Sequence, residues 1–176
     1  MSTNHIRIPL VTPGTNAELA CIEARILAER GRISLLYQAL LNSLPIAQGW
    51  EAMLTAVRNR TSLDAVIREM VILRVAVLNQ AQFEFDAHVP HAQKAGLADE
   101  KIDGLRQRKP ENGYMPLELL VIELTDRMTC DVVVPEVLVE DIKLAFGITG
   151  TVELIATIAA YNMVSRFLVA LNISHT

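Results

Sequence analysis

Residues 68–96 read REMVILRVAVLNQAQFEFDAHVPHAQKAG, and the rest of the chain is best understood from this stretch outward. It opens as an apolar run that contains one acid, Glu69. The run breaks at 78–80 and continues as a second helical pattern that ends at Gly96. A run that is apolar on all sides indicates a helix buried in a core. Because acids and imidazoles are costly to bury unless they are paired or used, we look for chemistry here.

Capping signals divide the rest of the chain into helices joined by short loops. Asn16 is a candidate N-cap for the first helix. Thr61 and Asp64 have capping-box spacing ahead of the buried helix, and Asn79 with Gln82 repeats that signal ahead of the next one. The expected helices lie at about 16–31, 33–42, 45–58, 61–78, 81–96, 99–108, 117–129, 136–146 and 152–172.

Length and pattern together predict the fold class. At 176 residues the chain is long enough for one domain with a substantial core. The alternation of apolar and polar residues that marks strands is nearly absent. We therefore predict a single all-α domain of about eight helices over residues 1–176.

Composition excludes some partners and favours others. The net charge is −4 and the sequence pI about 5.6, which argues against a nucleic-acid partner. Hydrophobic residues make up 51% of the chain and the mean hydropathy is +0.30. That excess predicts apolar surface buried between subunits, and hence a homo-oligomer. The long final helix is the expected interface, through Ile155, Ile158, Phe167 and Leu168.

No targeting or membrane segment is expected. The N-terminus lacks the form of a signal peptide. The most membrane-like stretch, 152–171, contains Glu153, Asn162 and Arg166, which favours a buried helix over a bilayer crossing and predicts no membrane partner. The two cysteines are far apart in sequence, so they do not form a Cys-x-x-Cys redox pair or a metal signature. These observations predict a cytoplasmic protein.

The candidate chemistry centres on an acid and an imidazole one helical turn apart. Glu84 and His88 share a helix face, so the carboxylate can orient the imidazole and raise its pKa. The alternative is an ordinary surface pair. Arg68 and Arg74 are candidate partners for buried carboxylates or for an anionic substrate. His91 is expected at the rim, and a metal site that includes it lacks a specific spacing.

The central stretch resembles the carboxymuconolactone decarboxylase family, which has the alkylhydroperoxidase-D-like all-helical fold. The resemblance spans about 31–173. It is based on the pattern Arg-Glu-x-x-Ile-Leu-Arg-x-Ala at 68–76, Asn79, the aromatic–Glu–aromatic triplet 83–85, His88, Ala-Gly-Leu at 95–97, the segment 161–167 and the segment 31–34. Relative to the shorter decarboxylase, residues 1–30 look like an extra helical arm.

One departure from the family separates its branches. The peroxidase branch has a Cys-x-x-Cys pair between its Glu and its His. Alignment on Glu69 and His88 places those cysteine positions at Ala81 and Glu84. Without thiols there is no nucleophile to reduce a peroxide, so peroxidase activity is the least favoured function. The decarboxylase branch also lacks the pair.

The resemblance implies a cofactor-free lyase acting on a small carboxylated lactone or a related organic acid. The lactone takes up the electrons that CO₂ leaves behind, so the site must supply an anion anchor, a proton donor and a dry lining. The alternative is a non-catalytic oligomeric family member. For either function the resemblance implies a trimer, or a hexamer built from trimers. The roles are proton transfer by His88 with Glu84 or Glu69, anchoring by Arg68 or Arg74, and lining by Phe83 and Phe85, with no metal and no cofactor.

Overall fold

A computed structural model describes residues 5–174. Every regular element within that range is helical, and no strand occurs in it. The α-helices are α1 (Ala20–Arg30), α2 (Leu35–Leu40), α3 (Leu44–Asn59), α4 (Ala65–Leu78), α5 (Gln82–Ala95), α6 (Asp99–Gly104), α7 (Pro116–Asp126) and α8 (Glu136–Leu171). A 3₁₀ turn precedes α1 and a π-helical turn, Arg127–Asp131, follows α7. The prediction of an all-α fold with about eight helices is confirmed.

The chain divides into two compact units, and the first comprises 1–60 with 170–176. Asn16 caps the turn ahead of α1 by accepting a hydrogen bond from the backbone N–H of Glu18, as its sequence context predicts. The guanidinium of Arg7 donates to the carbonyl of Ala170 at 2.8 Å, and its backbone N–H donates to Leu171. The N-terminal segment therefore satisfies carbonyls at the end of α8 that have no helical partner. The single-domain organisation stays a prediction.

The second unit, 61–169, is built around α4. All residues from Glu69 to Ala76 are buried, because α5 and α7 pack against this helix. A helix covered in this way has no polar face, which explains the apolar run in the sequence. The expectation that the helix of Glu69 lies at the centre of the fold is confirmed.

Two capping predictions need correction. Asp64 caps α4 by accepting hydrogen bonds from the backbone N–H groups of Val66 and Ile67, so the capping residue is Asp64 and not Thr61. Asn79 does not cap α5, since the N-cap position of that helix is Ala81. The Asn79 amide turns back and donates to the carbonyl of Val75 at 3.0 Å. The break between the two helices is so short that Asn79 still belongs to the C-terminal end of α4.

The final helix differs from the predicted interface. α8 is interrupted at Gly147, where φ is 67° and ψ is 179°, within the gap between the expected helices at 136–146 and 152–172. Ile158 and Leu168 are buried in the core of the second unit and cannot form a subunit interface. Four exposed apolar residues lie in the N-terminal half of α8, namely Val137, Leu144, Ile148 and Val152. Two more, Met163 and Val169, lie toward its C-terminus.

The apolar character of α8 is mostly that of a core helix. By length and composition it could cross a membrane, with a mean hydropathy of 1.7 over its most apolar window. Half of that window is buried inside the protein, however. A buried helix in a helical core passes the same test, so the length of α8 by itself does not indicate a membrane protein.

Candidate functional site

Three buried side chains meet between α4 and α5. Nδ1 of His88 lies 2.7 Å from Oε2 of Glu69, and Nε2 of His88 lies 3.3 Å from Oε1 of Glu84. The three residues are only 4–6% exposed. The four-residue spacing on α5 brings Glu84 to the imidazole, and the short break between the helices lets α4 present Glu69 to its other side. The imidazole is therefore held between two carboxylates.

This environment favours the charged imidazole. Burial lowers the pKa of His88, but hydrogen bonds to Glu69 and Glu84, together with their negative charges, raise it more. The net result is a pKa above the ordinary value of 6.5. A protonated His88 can donate through both ring nitrogens at once, which suits acceptors on both sides. Glu69, Glu84 and His88 thus hold a proton at a site that is largely shielded from bulk water.

Arg68 extends this group by one more charge. Its Nε lies 3.7 Å from Oε1 of Glu69, the carboxylate oxygen that does not contact His88. The Arg68 side chain is 17% exposed, and its Nε is buried without a hydrogen-bond partner in the described part of the chain. A buried donor without an acceptor is destabilising unless a ligand supplies one. Of the two predicted arginines, Arg68 keeps the capacity to bind an anion.

Arg74 has a structural role instead, so its assignment as a substrate anchor is wrong. Its five N–H groups all donate within the protein: to both carboxylate oxygens of Asp126 at 2.7 Å, and to the carbonyls of Leu105, Gln107 and Arg108 at 2.7–3.2 Å. The residue is 1% exposed. Arg74 thereby ties the segment after α6 to α7 and has no donor left for a substrate.

The two phenylalanines do not occupy equivalent places. Phe83 is half-buried, whereas Phe85 is buried and its ring lies 3.7 Å from the guanidinium carbon of Arg106. Phe85 lines a depression of about 500 Å³ between α5 and α6. The other residues that line it are Asp86, Val89, Pro90, Gln93, Asp99, Ile102, Asp103 and Arg106. Glu69, Glu84 and His88 do not line this depression. Phe85 therefore lines a depression that does not contain the three candidate catalytic residues.

The aromatic ring found against His88 is one that the sequence analysis did not select. Tyr161 of α8 is 1% exposed, and its ring meets the imidazole edge-on with centroids 5.3 Å apart. His91 is exposed, as predicted for a rim residue, with its ring 5.4 Å from that of His88. The one available signal for Tyr161 was its position next to Asn162, a polar residue in an apolar helix.

Asn162 fixes the part of α8 that carries Tyr161. Its side-chain amide donates to the hydroxyl of Thr129 at 2.9 Å, and its amide oxygen accepts from Asn79 at 2.9 Å. Arg166 adds a hydrogen bond to the amide oxygen of Asn79 at 3.2 Å. The break between α4 and α5, the π-helical turn and α8 are therefore joined at one polar node beside the site. Within residues 5–174, no cluster of His, Cys, Asp and Glu has a metal-binding arrangement.

Two solved structures have a fold similar to that of this chain. A peroxidase-related protein of uncharacterised function from a Silicibacter species superposes with a TM-score of 0.79 at 14% identity, covering 94% of this chain and 89% of that one. A protein of unknown function from Agrobacterium tumefaciens, for which an antioxidant defence role of the AhpD kind has been suggested, has a TM-score of 0.72 at 20% identity, covering 78% and 95%. The chain thus has the alkylhydroperoxidase-D-like helical fold.

Part of the chain is similar in sequence to a known family. Residues 45–121 match the model of the carboxymuconolactone decarboxylase family, so the family resemblance identified from the sequence is confirmed. The matched segment contains Glu69, Glu84 and His88. No curated protein matches the chain.

The raised pKa of His88 predicts a pH-dependent stability. A group whose pKa is higher in the folded than in the unfolded chain stabilises the fold fully below the unfolded value of about 6.5 and loses that effect as pH rises through the folded value. We expect the free energy of unfolding to fall above pH 6.5 by at most about 1.4 kcal/mol per pH unit from this one proton. Urea unfolding of the wild type and His88→Gln across that window measures it. If the difference between the two proteins does not change with pH, the imidazole does not gain a proton on folding.

Proposed function

We propose that the protein is a cofactor-free lyase that removes CO₂ from a small carboxylated lactone or a related organic acid. The observation that supports this most is the buried imidazole held between two carboxylates, with an arginine beside it that has an unpartnered donor. This arrangement supplies a proton source and an anion anchor in one place. The family of the matched segment supports the same reaction class.

Each residue has a defined part in the proposed reaction. Arg68 binds a carboxylate of the substrate through its guanidinium, whose Nε has no hydrogen-bond partner among the described residues. When the C–C bond to CO₂ breaks, its electron pair moves into the unsaturated lactone, which becomes an enolate-like anion. The positive charge of His88 stabilises that anion, and a proton from the imidazolium then forms the new C–H bond. Glu69 keeps the imidazole oriented and favours its protonated form before the transfer.

Burial of the site favours this chemistry. The negative charge of a carboxylate disperses as CO₂ leaves, so removal from water destabilises the reactant more than the transition state. Glu69, Glu84 and His88 are almost fully shielded in the protein. The same shielding supports the second candidate function, in which the three residues are a structural ion-pair cluster of a non-catalytic family member.

Peroxide reduction is the least supported function. The positions at which the peroxidase branch has its thiols are Ala81 and Glu84. Both cysteines of this chain lie elsewhere; Cys21 is on α1 and Cys130 in the π-helical turn, each as an exposed free thiol. Free thiols on the surface suit a reducing, cytoplasmic location, which we propose for this protein.

Substitution of His88 tests the reaction. His88→Gln keeps a hydrogen-bonding side chain of similar size but cannot transfer a proton at neutral pH. We expect CO₂ release from the active member of a panel of lactones and β-keto acids to fall by roughly 10²–10⁴, as for loss of a general acid. The matched control is His5→Gln, at an exposed histidine of the first unit, which should leave the rate unchanged.

The structural alternative predicts a different result. If His88→Gln lowers the melting temperature but turnover stays within a few-fold of the wild type, His88 is structural and the lyase assignment is wrong. If no compound in the panel releases CO₂ with the wild type, the non-catalytic reading is favoured.

We also propose that the protein is a homo-oligomer, a trimer or a hexamer, assembled through the exposed apolar residues of α8. Leu144 is 86% exposed, Ile148 67% and Val152 62%. A run of large apolar side chains this exposed is unusual for a monomer and typical of an interaction surface. Identical chains can cover one another's surfaces in a closed symmetric assembly.

Charged residues introduced into this apolar surface of α8 should dissociate the oligomer. The double substitution Leu144→Asp and Ile148→Asp would bury carboxylates in the interface, so we expect a monomer with unchanged helix content. Light scattering after size exclusion measures the mass. The control is Lys143→Asp, a charge change at the neighbouring position, which should leave the assembly intact. A monodisperse monomer of the wild type at micromolar concentration would refute the proposal.

A further inference from the structure

Both ring nitrogens of His88 are covered by carboxylates, and the two contacts are unequal. Glu69 lies 2.7 Å from Nδ1, whereas Glu84 lies 3.3 Å from Nε2. Because each ring nitrogen already contacts a carboxylate, a substrate cannot bond to either nitrogen directly in this arrangement. Either a carboxylate moves away, or a carboxylate stands between the imidazole and the substrate. The two carboxylates differ in how firmly they are held, and this difference indicates which of them lies between the imidazole and the substrate.

The Glu69 end of the imidazole is fixed. Glu69 lies in α4 within a run of buried residues, so its backbone is held on all sides. One carboxylate oxygen contacts His88, and the other faces Arg68 at 3.7 Å. A carboxylate held by a cation at each oxygen has little freedom to rotate or to give up its contact.

The Glu84 end is less constrained. Glu84 is the third residue of α5, where the helix starts at Ala81 without a side-chain capping bond. Gln80, just before this start, has a φ of 57°, which an L-residue rarely adopts. Among the residues that the structure describes, His88 is the ion-pair partner of Glu84. First turns of helices are also where backbone order is lost most easily and where a carboxylate is stabilised by the helix dipole.

We propose that Glu84 is the catalytic residue that carries the proton between Nε2 of His88 and the substrate, while Nδ1 stays bonded to Glu69. This rests on the proposed lyase function. In the first step the Nε2–H bond breaks, its electron pair stays on nitrogen, and an O–H bond forms on Oε1 of Glu84. In the second step that O–H bond breaks and the carbanion left by CO₂ uses its electron pair to form the C–H bond. The carboxylate is restored, and the imidazole regains a proton from water after the product leaves.

Hydrogen exchange at the imidazole tests this proposal without a substrate, because water can take the proton in its place. The full-length protein is labelled with ¹⁵N-histidine, and the exchange of the two ring protons of His88 with water is measured at about pH 5.5, where an imidazole is protonated. We expect Nε2–H to exchange about tenfold or more faster than Nδ1–H, since general acid–base catalysis typically gives at least such factors.

Three variants give the result its meaning. Glu84→Gln keeps an acceptor for Nε2 but cannot carry a proton, so it should slow the exchange of Nε2–H about tenfold or more. Glu84→Asp keeps a carboxylate and should retain fast exchange. The control is Glu118→Gln, which removes another buried carboxylate, one paired with Lys101, and should leave both exchange rates of His88 unchanged.

Other results would overturn the proposal. Unchanged or faster exchange of Nε2–H in Glu84→Gln would mean that Glu84 shields Nε2 from water and does not transfer its proton. If that variant does not fold, the wild type still decides, since faster exchange at Nδ1 than at Nε2 contradicts the proposal. Loss of CO₂ release in His88→Gln combined with unchanged exchange in Glu84→Gln would leave the lyase function standing and the carrier role refuted. Slowed exchange without any CO₂ release from the panel would refute the lyase and not the proton path.

Discussion

The structure depends on one interaction, the pairing of the His88 imidazole with Glu69 on one side and Glu84 on the other. Two buried carboxylates would destabilise the fold if they were alone, because each would lose its hydration without gaining a partner. The environment raises the pKa of His88, and a protonated His88 together with the neighbouring Arg68 supplies two positive charges against these two carboxylates. The pairing also joins α4 to α5, and Tyr161 of α8 closes over it. The same side chains therefore contribute to the stability of the fold and to the proposed chemistry.

Local sequence was sufficient where the controlling interactions are local. The apolar run identifies α4 as the central helix, and the four-residue spacing on α5 predicts the contact of Glu84 with His88. Glu69 joins them because the break between the helices is short. The residue that caps a helix is less predictable, because Asp64 and Asn79 have the same sequence signal. Asp64 is the N-cap of α4, whereas the side chain of Asn79 forms hydrogen bonds with Val75 and Asn162.

Sequence failed where distant segments decide a residue's role. Arg74 looked like a substrate anchor because an arginine in an apolar helix needs a partner, and its partners come from the segment after α6 and from α7. Arg68 lies six residues earlier on the same helix, and its Nε has no hydrogen-bond partner in the described part of the chain. Tyr161 was missed because its local signal, the neighbouring Asn162, does not show what its ring will contact. Ile158 looked available for an interface because an apolar residue has the same pattern in the sequence whether its own core or another subunit covers it. These are questions of packing, which pattern alone does not answer.

The family context gives Glu84 a particular meaning, since a carboxylate stands where the peroxidase branch has a thiol. In the proposed chemistry this carboxylate transfers a proton. The central claim is that His88 is a charged imidazole shared by two carboxylates. ¹⁵N NMR of the histidine ring at about pH 7, above the ordinary imidazole pKa, tests this most directly. The account predicts protons on both ring nitrogens of His88, and a neutral ring with one protonated nitrogen would contradict it.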